Sequence, residues 1–241
     1  MRKRAEDLRS AAANALRFLE EAGADFVVRR AAAPRAPAFP VPARSPIPQD
    51  GPPPDPSRLS QINAEVLVCQ KCPLSRVRDK AVPGEGGLDS GLMFVGEAPG
   101  ADENTAGRPF VGKAGQLLSD IIKAMRFSRS EVYITNVVKC QPPGNRTPFG
   151  SEIDVCVSYL QRQLEAIQPK VIVTLGAVAA GVFVPGEVKI SALRGTWFDY
   201  GRIKVMPTFH PSYLLRNAGN RSLKKSVWED MQKVMAYLEK R

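Results

Sequence analysis

The short apolar run at residues 92–95 stops at Gly96 and Glu97. A loop of Gly, Pro, Asp, Glu and Asn leads from there to Gly112, after which Ala114, Leu117, Leu118, Ile121, Ile122 and Met125 recur at helical spacing. An unbroken apolar run followed by a 3.6-residue period reads as buried strand, loop and helix. The pattern repeats with a strand at residues 132–138 before a helix from Ser151, and with a strand at 170–175 before a small-residue helix ending at Phe183. Strands alternating with helices predict an α/β fold with a mainly parallel sheet covered on both faces. Ligands of such sheets bind beyond the carboxyl ends of the strands, so Glu97, the first polar residue past the first strand, is a candidate for chemistry.

Outside this pattern the chain changes character. Residues 1–30 hold an amphipathic helix with Leu8, Ala12, Leu16 and Leu19 on one face, and residues 31–57 form a Pro/Ala-rich linker with ten prolines. Fixed φ and missing N–H donors keep that linker out of packed helix or central strand. The helix reads as part of a tether, or alternatively as a docking element for a repair or replication protein. The globular domain is expected at residues 58–241. It opens with a helix at 59–68, and Ser151 with Asp154 forms a plausible capping box for the helix that follows. Residues 196–200 and 202–207 suggest a hairpin, and a last helix begins near Ser222.

The formal charge is +10, and residues 1–57 carry nine Lys or Arg against seven Asp or Glu, which leaves +8 for the rest. The basic surplus belongs to the folded part, and nucleic acid is the leading anionic partner. No segment approaches the roughly 18 consecutive apolar residues of a membrane span, and no apolar stretch follows the basic start as a signal peptide requires. A cytoplasmic protein with no membrane contact is expected, with reduced cysteines. Cys69 and Cys72 are two residues apart, and Cys140 and Cys156 complete a set of four. Such a set suits a structural metal or cluster, and spacing alone leaves zinc and [4Fe-4S] both open.

His210, the single histidine, sits at a strand exit before Pro211. On a parallel sheet it shares an edge with Glu97, where it can donate a hydrogen bond to a developing anion. The segment from Gly107 to Gly112-Lys113-Ala114 approaches a phosphate-binding loop, but it lacks the Ser or Thr after the lysine, and Pro109, Phe110 and Val111 crowd it.

Four motifs coincide in order: Gly96-Glu97-Ala98-Pro99-Gly100, Gly107-Arg108-Pro109-Phe110-Val111-Gly112, Thr135-Asn136-Val137-Val138-Lys139-Cys140 and His210-Pro211-Ser212. With the cysteine spacing, this set resembles the family 4 uracil-DNA glycosylases, the iron-sulfur branch of their superfamily, over residues 58–241. The resemblance implies a three-layer α/β/α fold around a central, mainly parallel four-stranded sheet. It also implies a [4Fe-4S] cluster on Cys69, Cys72, Cys140 and Cys156. The implied activity is hydrolysis of the N-glycosidic bond of deoxyuridine in single- or double-stranded DNA, after the base is flipped out, leaving an abasic site. Phe110 would stack on the uracil, within a pocket that includes Gly96, Ala98 and Gly100. Asn136 would read the uracil edge, His210 would donate to O2, and Glu97 would position water or favour the cationic sugar. Leu214 would be the wedge that fills the vacated stack, while Lys113, Arg146, Ser212, Arg216 and Arg221 would meet the DNA.

Two departures qualify the resemblance. The best-known branch of the superfamily carries a water-activating aspartate and a thymine-blocking tyrosine where Ala98 and Gly100 stand here, so water activation falls to Glu97 or a nearby acid such as Asp102. The branch that becomes covalently trapped on uracil has its own histidine in a basic insertion, and this chain has no second histidine. The expectation is a monomeric, monofunctional glycosylase on the nucleoid of a bacterium or archaeon. A non-catalytic iron-sulfur DNA-binding module and a zinc-stapled nucleotide-binding protein are the alternatives.

Overall fold

The computed structural model describes residues 52–238. The expected N-terminal helix and most of the linker lie outside the described residues. The first helix, α1 (Pro56–Leu67), is capped by the Asp55 carboxylate, which accepts from the N–H groups of Ser57 and Arg58 at 3.0 Å each. Next come a 3₁₀ turn at Pro73–Arg76, the strands β1 (Glu85–Gly86) and β2 (Leu92–Gly96), and the helices α2 (Ala101–Ala106) and α3 (Lys113–Ala124). The strand β3 (Tyr133–Asn136) is followed by α4 (Gly150–Ile167), β4 (Val171–Leu175), and the short helices α5 (Ala177–Phe183) and α6 (Ile190–Leu193). A hairpin of β5 (Phe198–Tyr200) and β6 (Ile203–Thr208) then leads to α7 (Pro211–Arg216) and α8 (Arg221–Tyr237).

The sheet order is β1-β3-β2-β4-β6-β5. The pairs β2/β3, β2/β4 and β4/β6 are parallel, and the outer strands β1 and β5 pair antiparallel. Six strands therefore replace the four expected. The four parallel strands are the apolar runs, whereas β1 is two residues long with Gly86 at φ +123°, and β5 exposes Asp199 at its centre. Neither edge carries a hydrophobic signal of its own.

Alternate residues of each inner strand feed opposite cores. Met93, Val95, Tyr133, Ile172 and Val205 pack with Ile62 and Val66 of α1, Cys156 and Leu160 of α4, and Phe183 of α5. Leu92, Phe94, Ile134, Val173 and Met206 pack on the other side with Leu118 and Ile122 of α3, Leu214 of α7, and Met231 and Val234 of α8. Helices thus cover both faces. The helix α4 starts slightly earlier than expected. Glu152, not Ser151 or Asp154, closes its first turn by accepting from the Phe149 N–H at 2.7 Å.

The topology decides where a site can form. From β2 the chain steps to β3 on one side and then crosses to β4 on the other, so the strand order reverses around β2, and such switch points open a crevice at the carboxyl edge. The exit of β6 into that crevice is clamped by α8. Asp230 is buried, accepts from Thr208 Oγ1 at 2.6 Å and is paired with Arg194. Removing one partner of a buried ion pair strands the other, so Asp230→Ala should lower the unfolding free energy by roughly 3–5 kcal/mol. Urea denaturation of the purified variant checks this.

Candidate active site

A cleft of about 730 Å³ opens at the carboxyl edge. Its lining includes Glu97, Ala98 and Gly100 after β2, Asn136 at the end of β3, Gly176 after β4 and His210 after β6. The parallel sheet brings these sequence-distant residues together.

Gly96 and Phe110 shape the floor. A Cβ built on Gly96 would lie 2.3 Å from Asn136 Oδ1 and 2.5 Å from Phe110 Cζ, so only glycine lets the amide and the ring meet above the strand end. Phe110 is buried with φ +51°, an uncommon conformation for a bulky residue. Its loop is held from two sides. The Glu103 carboxylate accepts from the N–H groups of Gly100 (3.1 Å), Val111 (2.9 Å) and Gly112 (3.0 Å), joining the two loops that carry the motifs. Arg129 donates to the Pro109 carbonyl and to Glu85 Oε1 at 2.8 Å. A Cβ at Gly115 would lie 1.8 Å from the Phe110 carbonyl oxygen, so α3 packs directly on this loop.

Asn136 is 1% exposed, and its Oδ1 has no hydrogen-bond partner. Buried acceptors are nearly always paired, so an orphan facing a cleft suits an incoming donor. His210 lies 5.7 Å from Phe110, centroid to centroid, with the rings tilted by 33°. Its Nδ1 accepts from the Ser212 N–H at 3.1 Å, which leaves the proton on Nε2. Burial, then the Arg216 cation, pull its pKa down to about 4 against the opposing pull of Glu103. At neutral pH it is therefore an uncharged donor. Burial raises the pKa of Glu97. Asp102 is exposed on α2 and does not line the cleft; Glu103 does.

The expected DNA contacts divide. Arg146, Ser212 and Arg216 line the cleft, and Lys113 is exposed where α3 begins. Arg146 is already bound to Glu152 through two hydrogen bonds of 2.9 and 2.7 Å and stacks 3.8 Å above the Phe149 ring. Leu214 is not presented as a wedge. It is 3% exposed and faces the core beneath α7, while its neighbours Tyr213 and Leu215 are 39% and 41% exposed. The helical turn sends Pro211 and Leu214 inward together, three residues apart.

The four cysteines are free thiols that border one small cavity with Val66, Ser75, Arg78, Lys139, Val155 and Tyr159. Among the described residues, no three His, Cys, Asp or Glu converge as they would around one ion. Four sulfurs around one shared cavity are the donor set that both a structural zinc ion and an iron-sulfur cluster use. Its surroundings donate to sulfur. Arg78 reaches Cys140 Sγ at 2.9 Å, and the Lys139 N–H reaches Cys156 Sγ at 3.3 Å. Burial pushes the Cys156 thiol up to about 12 and the Cys140 thiol upward as well. Lys139 is 1% exposed, and burial pulls its pKa down to about 7 while Cys156 opposes the shift.

Sequence reasoning missed Glu103, Arg78 and Lys139. The first had a signal, since Gly100 followed three residues later by Glu103 has the spacing of a capping box. Two outcomes follow from this geometry. Gly96→Ala should leave the protein folded but drive Asn136 and Phe110 apart, lowering turnover by roughly 100-fold or more, as small displacements in a catalytic site do; circular dichroism and a rate assay check both parts. The lowered pKa of His210 means that the unfolded chain binds its proton first on acidification. Wild type should lose stability relative to His210→Gln as pH falls from about 6.5 towards about 4, and above that window the difference between the two should stop changing with pH; denaturant midpoints across the range test the sign.

A family model for the uracil DNA glycosylase superfamily matches residues 83–232. The chain is 48% identical over 181 residues to a type-4 uracil-DNA glycosylase of Thermotoga maritima, covering 74% of this chain and 94% of that protein. It is 45% identical over 185 residues to one of Saccharolobus solfataricus, covering 73% and 84%. A type-5 uracil-DNA glycosylase of Pyrobaculum aerophilum is more distant, at 35% over 157 residues, covering 58% of this chain and 69% of that protein. By its matched domain and by its identity to these relatives, the chain belongs to the uracil-DNA glycosylase superfamily, in the type-4 branch.

Proposed function

We infer that the chain is a uracil-DNA glycosylase that hydrolyses the N-glycosidic bond of deoxyuridine in DNA and starts base-excision repair. The observation that carries its site assignment is the orphan Oδ1 of Asn136, buried beside the Phe110 ring and the His210 imidazole. Uracil presents a donor at N3 flanked by acceptors at O2 and O4. Asn136 Oδ1 accepts from N3–H while its amide N–H donates to O4, a pattern that cytosine reverses. Phe110 stacks on the flipped ring, gaining on the order of 1 to 3 kcal/mol. Extruding the base costs a few kcal/mol, least where the base is mispaired or single-stranded.

In the reaction the C1′–N1 bond breaks, and its electron pair leaves with uracil, delocalised onto the ring oxygens. The neutral imidazole of His210 donates from Nε2 to O2 and stabilises that anion without giving up its proton. Glu97, ionised, stands towards the sugar. It favours the developing positive charge and orients the water whose oxygen bonds to C1′, the water's proton passing to the carboxylate. Its raised pKa makes it a better base than an exposed glutamate. Arg216, exposed at the cleft, holds the phosphate backbone.

Cys69, Cys72, Cys140 and Cys156 suit a [4Fe-4S] cluster. When bound, it supplies a cross-link between the end of α1, the exit of β3 and α4, and the hydrolysis needs no electron from it.

The purified protein should release uracil from single- and double-stranded oligonucleotides, read as alkali-cleavable abasic sites. Asn136→Asp and His210→Ala should each slow release by roughly 10²- to 10³-fold, the usual loss when a donor to a developing anion is removed. Intact wild-type substrate would end the activity assignment, and near-normal rates in both variants would end the roles given to these residues.

A further inference from the structure

Lys139 is buried between the exit of β3 and α4, and among the described residues no carboxylate is one of its hydrogen-bond partners. Its Nζ donates to Thr135 Oγ1 at 2.6 Å, to the Asn136 carbonyl oxygen at 2.7 Å and to Gln163 Oε1 at 2.7 Å. Three acceptors call for three N–H groups, which the ammonium provides and the neutral amine does not. Gln163 is itself fixed, donating to Asn63 Oδ1 at 2.8 Å and to the Pro83 carbonyl at 2.9 Å. At the other end of the residue, the backbone N–H of Lys139 donates to Cys156 Sγ at 3.3 Å, and Cys140 follows in the chain. One residue therefore touches both the strand end that carries Asn136 and the four-cysteine site.

We propose that Lys139 is a positioning residue that couples the four-cysteine site to Asn136. The inference rests on the reading of Asn136 as the residue that recognises uracil. The next amide after Asn136, the Val137 N–H, is anchored to the Gly96 carbonyl at 2.9 Å, and Lys139 holds the Asn136 carbonyl from the other side. With both sides of that peptide fixed, the amide side chain can turn only about its own χ angles, and Oδ1 stays aimed into the cleft. A buried cation without a carboxylate needs negative charge nearby, and thiolates at Cys140 and Cys156 would provide it when they hold a metal. Coupling of this kind is reciprocal, so whatever strengthens the hold on the cysteines favours the conformation of Asn136 that reads the base.

The test uses the full chain as purified, with Lys139→Met and Thr135→Val, the second keeping the lysine but removing one acceptor. Three quantities are read: single-turnover uracil release against the KM for DNA, iron and acid-labile sulfide content, and the reduction potential of the bound cluster. Lys139→Met should lower the release rate roughly 10- to 100-fold, as loss of a charged hydrogen bond does, with KM nearly unchanged. Its cluster potential should move to more negative values, because a nearby cation favours the more negatively charged reduced state. Thr135→Val should shift rate and potential in the same directions by less. A wild-type rate in iron-replete Lys139→Met overturns the proposal. If that variant fails to fold or binds no iron, a wild-type rate and potential in Thr135→Val overturn it instead. A wild type that releases no uracil sinks the activity reading and leaves the potential shift to test the coupling. A wild type without iron overturns the cysteine half of the proposal.

Discussion

No side-chain atom can stand at Gly96, and the rest of the site depends on that vacancy. The last residue of the central strand lies beside Asn136 in register, and the missing Cβ is the space in which the asparagine amide and the edge of Phe110 meet. The surrounding structure serves this contact. Glu103 ties the loops on either side of α2, Arg129 holds the carbonyl before Phe110, and Gly115 lets α3 press against the loop from behind. Strain at Phe110 persists because its neighbours over-determine it.

Charge is arranged as carefully as shape. The groups proposed to face the base, Asn136 and His210, are neutral at pH 7, and the carboxylate proposed to face the sugar is Glu97. A neutral imidazole can donate to a nascent anion without first pairing with the phosphates that a cation would attract. The cations of the cleft stand apart, with Arg216 exposed and Arg146 matched to Glu152.

Much of this was legible in the chain, and the exceptions have physical causes. The inner strands announce themselves because parallel strands buried on both faces are continuous apolar runs, and their helices follow by period. Glu97, Asn136 and His210 could be placed on one edge because parallel strands end together. The edge strands were invisible, since two residues containing a glycine carry no pattern. The burial of Leu214 was not legible for a different reason. A motif aligned along one dimension does not reveal which residue of a short helix turns inward, and Tyr213 and Leu215 hold the outer face instead. Glu103 works through backbone N–H groups, and Lys139 through neutral acceptors from two different elements, so neither side chain declares its partner. The cysteines were legible as a set, while the basic groups that serve their sulfurs were not.

The unpaired oxygen of Asn136 has a consequence beyond recognition. A buried acceptor left without a donor costs roughly 1–3 kcal/mol. On the proposed reading of Asn136, any molecule bearing the imide edge would relieve that cost, whether or not a sugar is attached. Free uracil would satisfy the same oxygen after the bond has broken, so a pocket that selects the base through this edge would also retard its departure. Turnover would then be governed by the exit of the severed base, with DNA of ordinary sequence competing poorly for a cleft still occupied by product.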